Sequence, residues 1–197
     1  MNYRMSKTWS VLANVAWEDR VLCNDFRIRA DWITATDDHR EQNIAFDRVK
    51  YWLFDVLEHS VLIKQGSDRI PLLRAAGQRV IAMPTDPIDP MIAVMLLTKF
   101  SAITESRMTF TEISVASEQG GHVQYLQAAE EDIMEFAESG WWRDSGPVWH
   151  SAEAKRSHKV VNLDRVQEWS ELKLSWEDHE TKTDGHVVFA EFKKNAD

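Results

Sequence analysis

Residues 9–17, WSVLANVAW, alternate without a break, so that Trp9, Val11, Ala13, Val15 and Trp17 share one side of an extended chain. A period of two is the mark of a half-buried β-strand, because successive side chains of a strand point to opposite faces. EDR at 18–20 and CND at 23–25 supply turn chemistry. FRIRADWI, 26–33, then repeats the alternation, with Phe26, Ile28, Ala30 and Trp32 on one face and Arg27, Arg29 and Asp31 on the other. Two such runs joined by a short polar link predict an antiparallel hairpin with one apolar face that has to be covered.

The cover is supplied downstream. After the polar stretch TATDDHREQ, whose Thr and Asp residues suit helix capping, Ile44, Val49, Trp52, Leu53, Val56 and Leu57 fall at helical spacing. They predict an amphipathic helix over 42–59. Residues 64–78 are broken by Gly66, Pro71 and Gly77, and RVIAM, 79–83, reads as a short extended segment. PTDPIDP, 84–90, cannot lie inside a helix, but Asp89–Pro90 is a good opening for one, with proline at the first helical position. A second helix is expected over 90–105. MTFTEISVASE and GHVQYLQ, separated by Gly120–Gly121, predict a second hairpin. Residues 128–138 read as an acidic helix. KVVNL, ELKLSW and HVVFAEF read as short strands beyond Gly140.

The order strand, strand, helix, helix, strand, strand implies an α+β fold: a four-stranded antiparallel sheet with two helices on one face. One domain over 1–139 and a C-terminal extension over 140–197 are expected, the extension packed on the same domain or on a neighbouring subunit. A sheet this small has exposed edges, which favours edge-to-edge assembly into a homo-oligomer.

Charge and composition exclude several functions. The formal charge is −9 with no run of Lys or Arg, which argues against a nucleic-acid backbone as partner. One cysteine, Cys23, excludes an internal disulfide framework and a Cys-rich zinc site, and it suits a reducing compartment. The longest mainly apolar run, MIAVMLLTKFSAI, contains Lys99 and is too short to span a bilayer, and the N-terminus lacks the apolar core of a signal peptide. A cytoplasmic protein without a membrane partner is expected. Nine tryptophans supply a large core or a subunit interface.

Four segments resemble, in order, those of the 6-pyruvoyl-tetrahydropterin synthases and 6-carboxytetrahydropterin synthases. NIAFDRVKYWL is similar to the approach to that family's first helix, and LEHSVLI to the Leu-Asp-His segment that ends it. MPTDPIDPMIA resembles the Pro-Thr-x-Glu segment opening the second helix, and ISVASEQGGHVQY the strand that ends in a glutamate before the last hairpin turn. The resemblance spans about residues 9–127. It implies the tunnelling fold, in which subunits join their sheets into a barrel, and a pterin- or purine-like ligand anchored by the strand-end glutamate, here Glu118. A carboxylate accepts two N–H bonds from an amino-pyrimidine edge. The family's zinc is held by a histidine on the first strand and a His-x-His pair near the second. This chain has no histidine before His39, so neither a metal nor another cofactor is expected. The family's acid before the histidine is Asp, and this chain has Glu58.

Each candidate carries two readings. Glu58 and His59 form either an acid–base relay, the carboxylate orienting the imidazole, or a solvated helix end in which His complements the dipole. Glu118 is either a heterocycle anchor or a hairpin-turn acid. Cys23 stands near the family's catalytic cysteine, or is a packed thiol. Arg27 and Arg29 hold an anionic group of a ligand, or belong to a solvent-facing strand of mixed charge. Thr85 falls near the implied pocket. His150, His158, His179 and His186 have no ligand spacing of a known metal motif. Trp141–Trp142, with Trp149, Trp169 and Trp176, serve as an aromatic lid or as buried packing. The leading expectation is zinc-independent binding of a pterin- or purine-like heterocycle. Acid–base chemistry of lyase, aldolase or hydrolase type would then run through His59. The alternative is a non-catalytic scaffold that keeps the fold for assembly.

Overall fold

The computed structural model describes residues 4–129, 136, 139–147 and 168–177. Its centre is the predicted hairpin, longer than the sequence suggested: β1 (Arg4–Trp17) and β2 (Arg20–Thr34) pair antiparallel from Arg4↔Ile33 to Trp17↔Arg20. The turn is Glu18–Asp19 alone, with Glu18 in left-handed backbone (φ 49°). Residues 23–25 make no turn. Cys23, Asn24 and Asp25 continue β2 opposite Asn14, Ala13 and Leu12, because ladder pairing along β1 outweighs their local turn preference.

Asp38 caps α1 (His39–Tyr51) by accepting the Arg40 N–H at 2.8 Å. The helix then widens into a π-helical stretch, Trp52–Leu57, which ends one residue before Glu58. Two short strands follow, β3 (Val61–Lys64) and β4 (Val80–Met83), with the small helix α2 (Ile70–Ala75) between them. Next come α3 (Asp89–Thr104), with Pro90 in its first turn, then β5 (Met108–Ser117) and β6 (Tyr125–Ala128).

The strand order is β4-β3-β1-β2-β5-β6. The expected four-stranded antiparallel sheet is therefore a six-stranded mixed one in an α+β fold. β3 joins β1 in parallel through Asn14↔Val61 and Val15↔Leu62, and β4 joins β3 in parallel. Both added strands are short buried apolar runs, whose sequence lacks alternation because both of their faces are covered. α1, its π-helical end and α3 cover one face, where Trp9, Val11, Phe26, Ile28, Ile113, Leu62 and Ile81 join one core. On the other face Ala16, Val61, Ile63 and Val80 form a smaller core with Ile70 and Leu73 of α2. Helices thus lie on both faces, not one.

The C-terminal part adds to the main core. A 3₁₀ turn at Trp141–Arg143 lays Trp141 parallel to Trp52, ring centroids 6.1 Å apart, and donates the Trp141 indole N–H to the Ala82 carbonyl at 2.7 Å. Trp141, Trp142 and Trp169 are buried, and Trp176 packs against the same core. ELKLSW, expected as a strand, is a turn followed by a bend. It is held not by a ladder but by Arg48, whose guanidinium lies between the Trp169 and Trp176 rings (4.5 and 3.7 Å to the centroids). Most of the expected acidic helix, KVVNL, HVVFAEF, Trp149 and the four C-terminal histidines lie outside the described residues.

Candidate functional site

The end of α1 is stitched to the sheet through backbone groups. Glu58 is extended, and His59 is left-handed at φ 60°, a conformation for which histidine is enriched among non-glycine residues. The His59 N–H donates to the Leu12 carbonyl at 2.7 Å, and the Ser60 carbonyl accepts the Asn14 N–H at 2.8 Å. The buried Ser60 hydroxyl closes the corner on the Leu57 carbonyl at 2.7 Å. His59 keeps its side chain exposed, and Glu58 is half-buried. No hydrogen bond joins these two side chains among the described residues.

The end of β5 is fixed at the same level of the sheet. The Glu118 N–H donates to the Asp25 carbonyl at 3.2 Å, and Asp25 pairs with Leu12, the residue that accepts from His59. His59, Leu12, Asp25 and Glu118 therefore form one row across the sheet. Three strand spacings of about 4.8 Å separate its ends, roughly 14 Å between backbones.

The turn after Glu118 rests on a polar knot that the sequence reading missed. Ser117, buried, has its hydroxyl 2.8 Å from both carboxylate oxygens of Asp89, the first residue of α3. The same hydroxyl oxygen accepts the Gly120 N–H at 3.0 Å. A Cβ on Gly120 would stand 2.3 Å from an Asp89 carboxylate oxygen, so a larger residue would have to push that carboxylate off Ser117. Asn24, also buried, accepts the Gln119 N–H at 3.1 Å, and the Gln119 side chain donates to the Cys23 carbonyl at 3.0 Å. Asp89 and Gly120 were visible as an Asp-Pro helix start and a Gly-Gly turn. Nothing local announced that they touch.

The other candidates are spread over this end of the sheet and its open face. Cys23 is a free, exposed thiol on β2. Arg27 is exposed between Ser10 and Ala116. Arg29 is engaged within the chain: it donates to Ser6 and, through two nitrogens, to Asp31 at 3.0–3.2 Å. Burial alone would raise the Asp31 pKa, but the Ser6 and Arg29 hydrogen bonds and the charges of Arg29 and Arg4 hold it below the ordinary value. Thr85 is half-buried in the lead-in to α3 and donates weakly to the Asp86 carbonyl at 3.4 Å. Glu118 has an exposed side chain. Among the described residues no three His, Cys, Asp or Glu side chains are grouped to hold a metal ion, and no helix is long and apolar enough to cross a membrane.

No family model matches the chain, and no curated protein matches it. Among solved structures it is similar to an uncharacterized protein, WS1659 from Wolinella succinogenes, at 12% identity and a TM-score of 0.48, over 66% of this chain and 99% of that one. It is also similar to 6-pyruvoyl tetrahydropterin synthase from Plasmodium falciparum, at 12% identity and a TM-score of 0.43, over 64% and 96% of the two chains. The Plasmodium vivax enzyme gives 8% identity and a TM-score of 0.43, over 64% and 97%. Likeness at this level does not establish membership in a family.

Proposed function

We propose that this protein is a zinc-independent tunnelling-fold protein that binds a pterin- or purine-like heterocycle, with Glu118 as its anchor. The observation that supports this most directly is the setting of Glu118. Its side chain is exposed, while its backbone is tied to Asp25 and its neighbours Ser117, Gln119 and Gly120 are fixed by Asp89 and Asn24. A carboxylate on hydrogen-bonded backbone, with no side-chain partner among the described residues, is pre-organised to accept two N–H bonds from an amino-pyrimidine edge. Thr85 and Arg27 complete the ligand contacts, with Arg29 behind them braced on Asp31. His59, next to Glu58 in the chain, moves protons on the heterocycle in lyase, aldolase or hydrolase chemistry, with Cys23 as a further candidate.

The resemblance implies a pocket between subunits, so in this reading the complete site takes His59 from a second copy. Among the described residues the sheet has open flanks for such a partner. β3 covers β1 only at Asn14 and Val15, and β6 is the far edge, with Leu126 and Val123 exposed. Edge-to-edge pairing of copies satisfies these strands and gives a homo-oligomer. The same open edges favour a second reading, a non-catalytic scaffold that assembles without a ligand.

Thermal stabilisation by neopterin or guanine, measured with the wild-type chain and with Glu118→Ala, separates the two. Stabilisation that Glu118→Ala abolishes supports the heterocycle site. An oligomer that no heterocycle stabilises leaves the scaffold reading standing and rejects the anchor. Stoichiometric zinc in elemental analysis of the purified protein would overturn zinc independence.

A further inference from the structure

A second concavity lies at the other end of the strands. Met5 at the start of β1, Trp32 near the end of β2 and Met108 at the start of β5 meet Phe46 of α1 around a cavity of about 380 Å³. The register confirms the placement, since Met5 pairs with Trp32 and Thr34 with Met108, while Glu118 lies beyond the opposite end of β5. The Trp32 and Phe46 rings are 6.0 Å apart, tilted by 32°, and Trp9 stacks behind Trp32 at 6.5 Å, so the aromatic wall is backed by the core.

The polar part of the lining is selective. Lys7 and Asn43, both exposed, stand at the mouth, and Thr34 lies deeper. Lys7 has no ion pair or hydrogen bond among the described residues. Among the described residues no Asp or Glu lines this cavity. The acids beside it on α1 are both engaged: Glu41 accepts from the Thr36 hydroxyl at 2.9 Å and pairs with Arg107 at 3.5 Å, and Asp47 accepts from Lys50 at 3.0 Å. An apolar pocket of this size, with one unpaired cation and amide and hydroxyl groups that donate, suits an anion carried on a flat apolar body. Methionine thioethers on both sides favour an aromatic ring.

We propose that this cavity binds a small aromatic carboxylate, its ring against Trp32 and Phe46 between Met5 and Met108, and its carboxylate on Lys7 and the Asn43 amide. The volume is at the lower end for ligand sites, so one ring or a fused pair with a short acidic arm fills it. The site is independent of Glu118 and of the heterocycle proposed there.

The test is calorimetric titration of the full chain with indole-3-acetate and with its neutral counterpart, indole-3-acetamide. Saturable one-to-one binding of the acid is expected, with the amide weaker by about tenfold, the difference of a charge-assisted contact. Lys7→Gln, at an exposed position, is expected to bring the acid down to the affinity of the amide and leave the amide unchanged. Phe46→Leu is expected to weaken both, and Glu118→Ala neither. The proposal is overturned by an acid that does not saturate the protein, by equal affinity for acid and amide, by a Lys7→Gln variant that binds as wild type, or by loss of binding in Glu118→Ala.

Discussion

Ser117 and Asp89 meet across the sheet–helix boundary, the hydroxyl 2.8 Å from each carboxylate oxygen. This contact ties the last residue of β5 to the first of α3, and Gly120 closes on it from the turn. Removing the hydroxyl leaves a buried carboxylate short of a donor. Ser117→Ala is expected to lower stability by about 1–3 kcal/mol in urea unfolding. Gly120→Ala is expected to be destabilising for steric reasons, and Asp89→Ala should relieve part of that cost. A double-mutant cycle with no coupling between the two would show that they do not touch.

Lys99 is fully buried and donates to the carbonyls of Trp141, Asp144 and Gly146 at 3.1, 2.8 and 3.2 Å. Burial, partly opposed by Asp144, lowers its pKa from 10.5 to about 8. Between those values the unfolded chain binds more protons than the folded one, so this group makes stability rise with pH. Its contribution is complete above the unfolded value and is lost as pH falls through about 8. The wild-type urea midpoint, compared with that of Lys99→Met from pH 7 to 10, should show a rising difference in slope. Parallel profiles would place the Lys99 proton elsewhere.

Asp31 behaves in the opposite range. Its pKa is held below the ordinary 3.8, so its contribution is present above that value and fades as pH falls through the lowered one. Arg29→Gln removes both a hydrogen bond and a charge that hold it down. Acid unfolding of that variant is expected to begin at higher pH than in the wild type, while Arg27→Gln, at a free position on the same face, should leave the acid limb unmoved.

Arg48, on α1, binds the end of α3 and the 168–177 turn. It donates to the Leu174 and Ile103 carbonyls and to Glu105 at 2.8–2.9 Å, between two tryptophan rings. Arg48→Met is expected to cost about 3 kcal/mol by leaving these acceptors without a donor. Arg48→Lys should recover little, because an ammonium lacks the planar fork. Limited proteolysis should cut first within 168–177 in both variants. Unchanged cleavage would mean that the tryptophans alone hold that turn.

Much of this architecture was legible because the hairpin and the first helix carry strong periods. Trp9 to Trp17 and Phe26 to Trp32 announce their faces, and Asp89–Pro90 announces the start of α3. β3 was missed because VLIK is too short and too uniformly apolar to show a period, and its neighbours β1 and β4 are far away in sequence. Cys23–Asp25 carries turn chemistry that pairing overrides. Asp89, Ser117, Lys99 and Arg48 were invisible as interior polar groups, since each gains its meaning from a partner distant in the chain. At the candidate site, the neighbourhood of Glu118 was foreseen through its place at a strand end. Its separation from His59 depends on strand order, which local sequence does not encode.

The pairing of β3 with only Asn14 and Val15 has a consequence for how the molecule opens. β4 hangs on β3, and the small core beneath them is Ala16, Val61, Ile63 and Val80 with α2. Leu62, Ile81 and Met83 of the same two strands are buried in the main core, so this flank is held by side-chain packing more than by its ladder, and it cannot open without exposing part of that core. His59 stands at the seam where that short ladder begins.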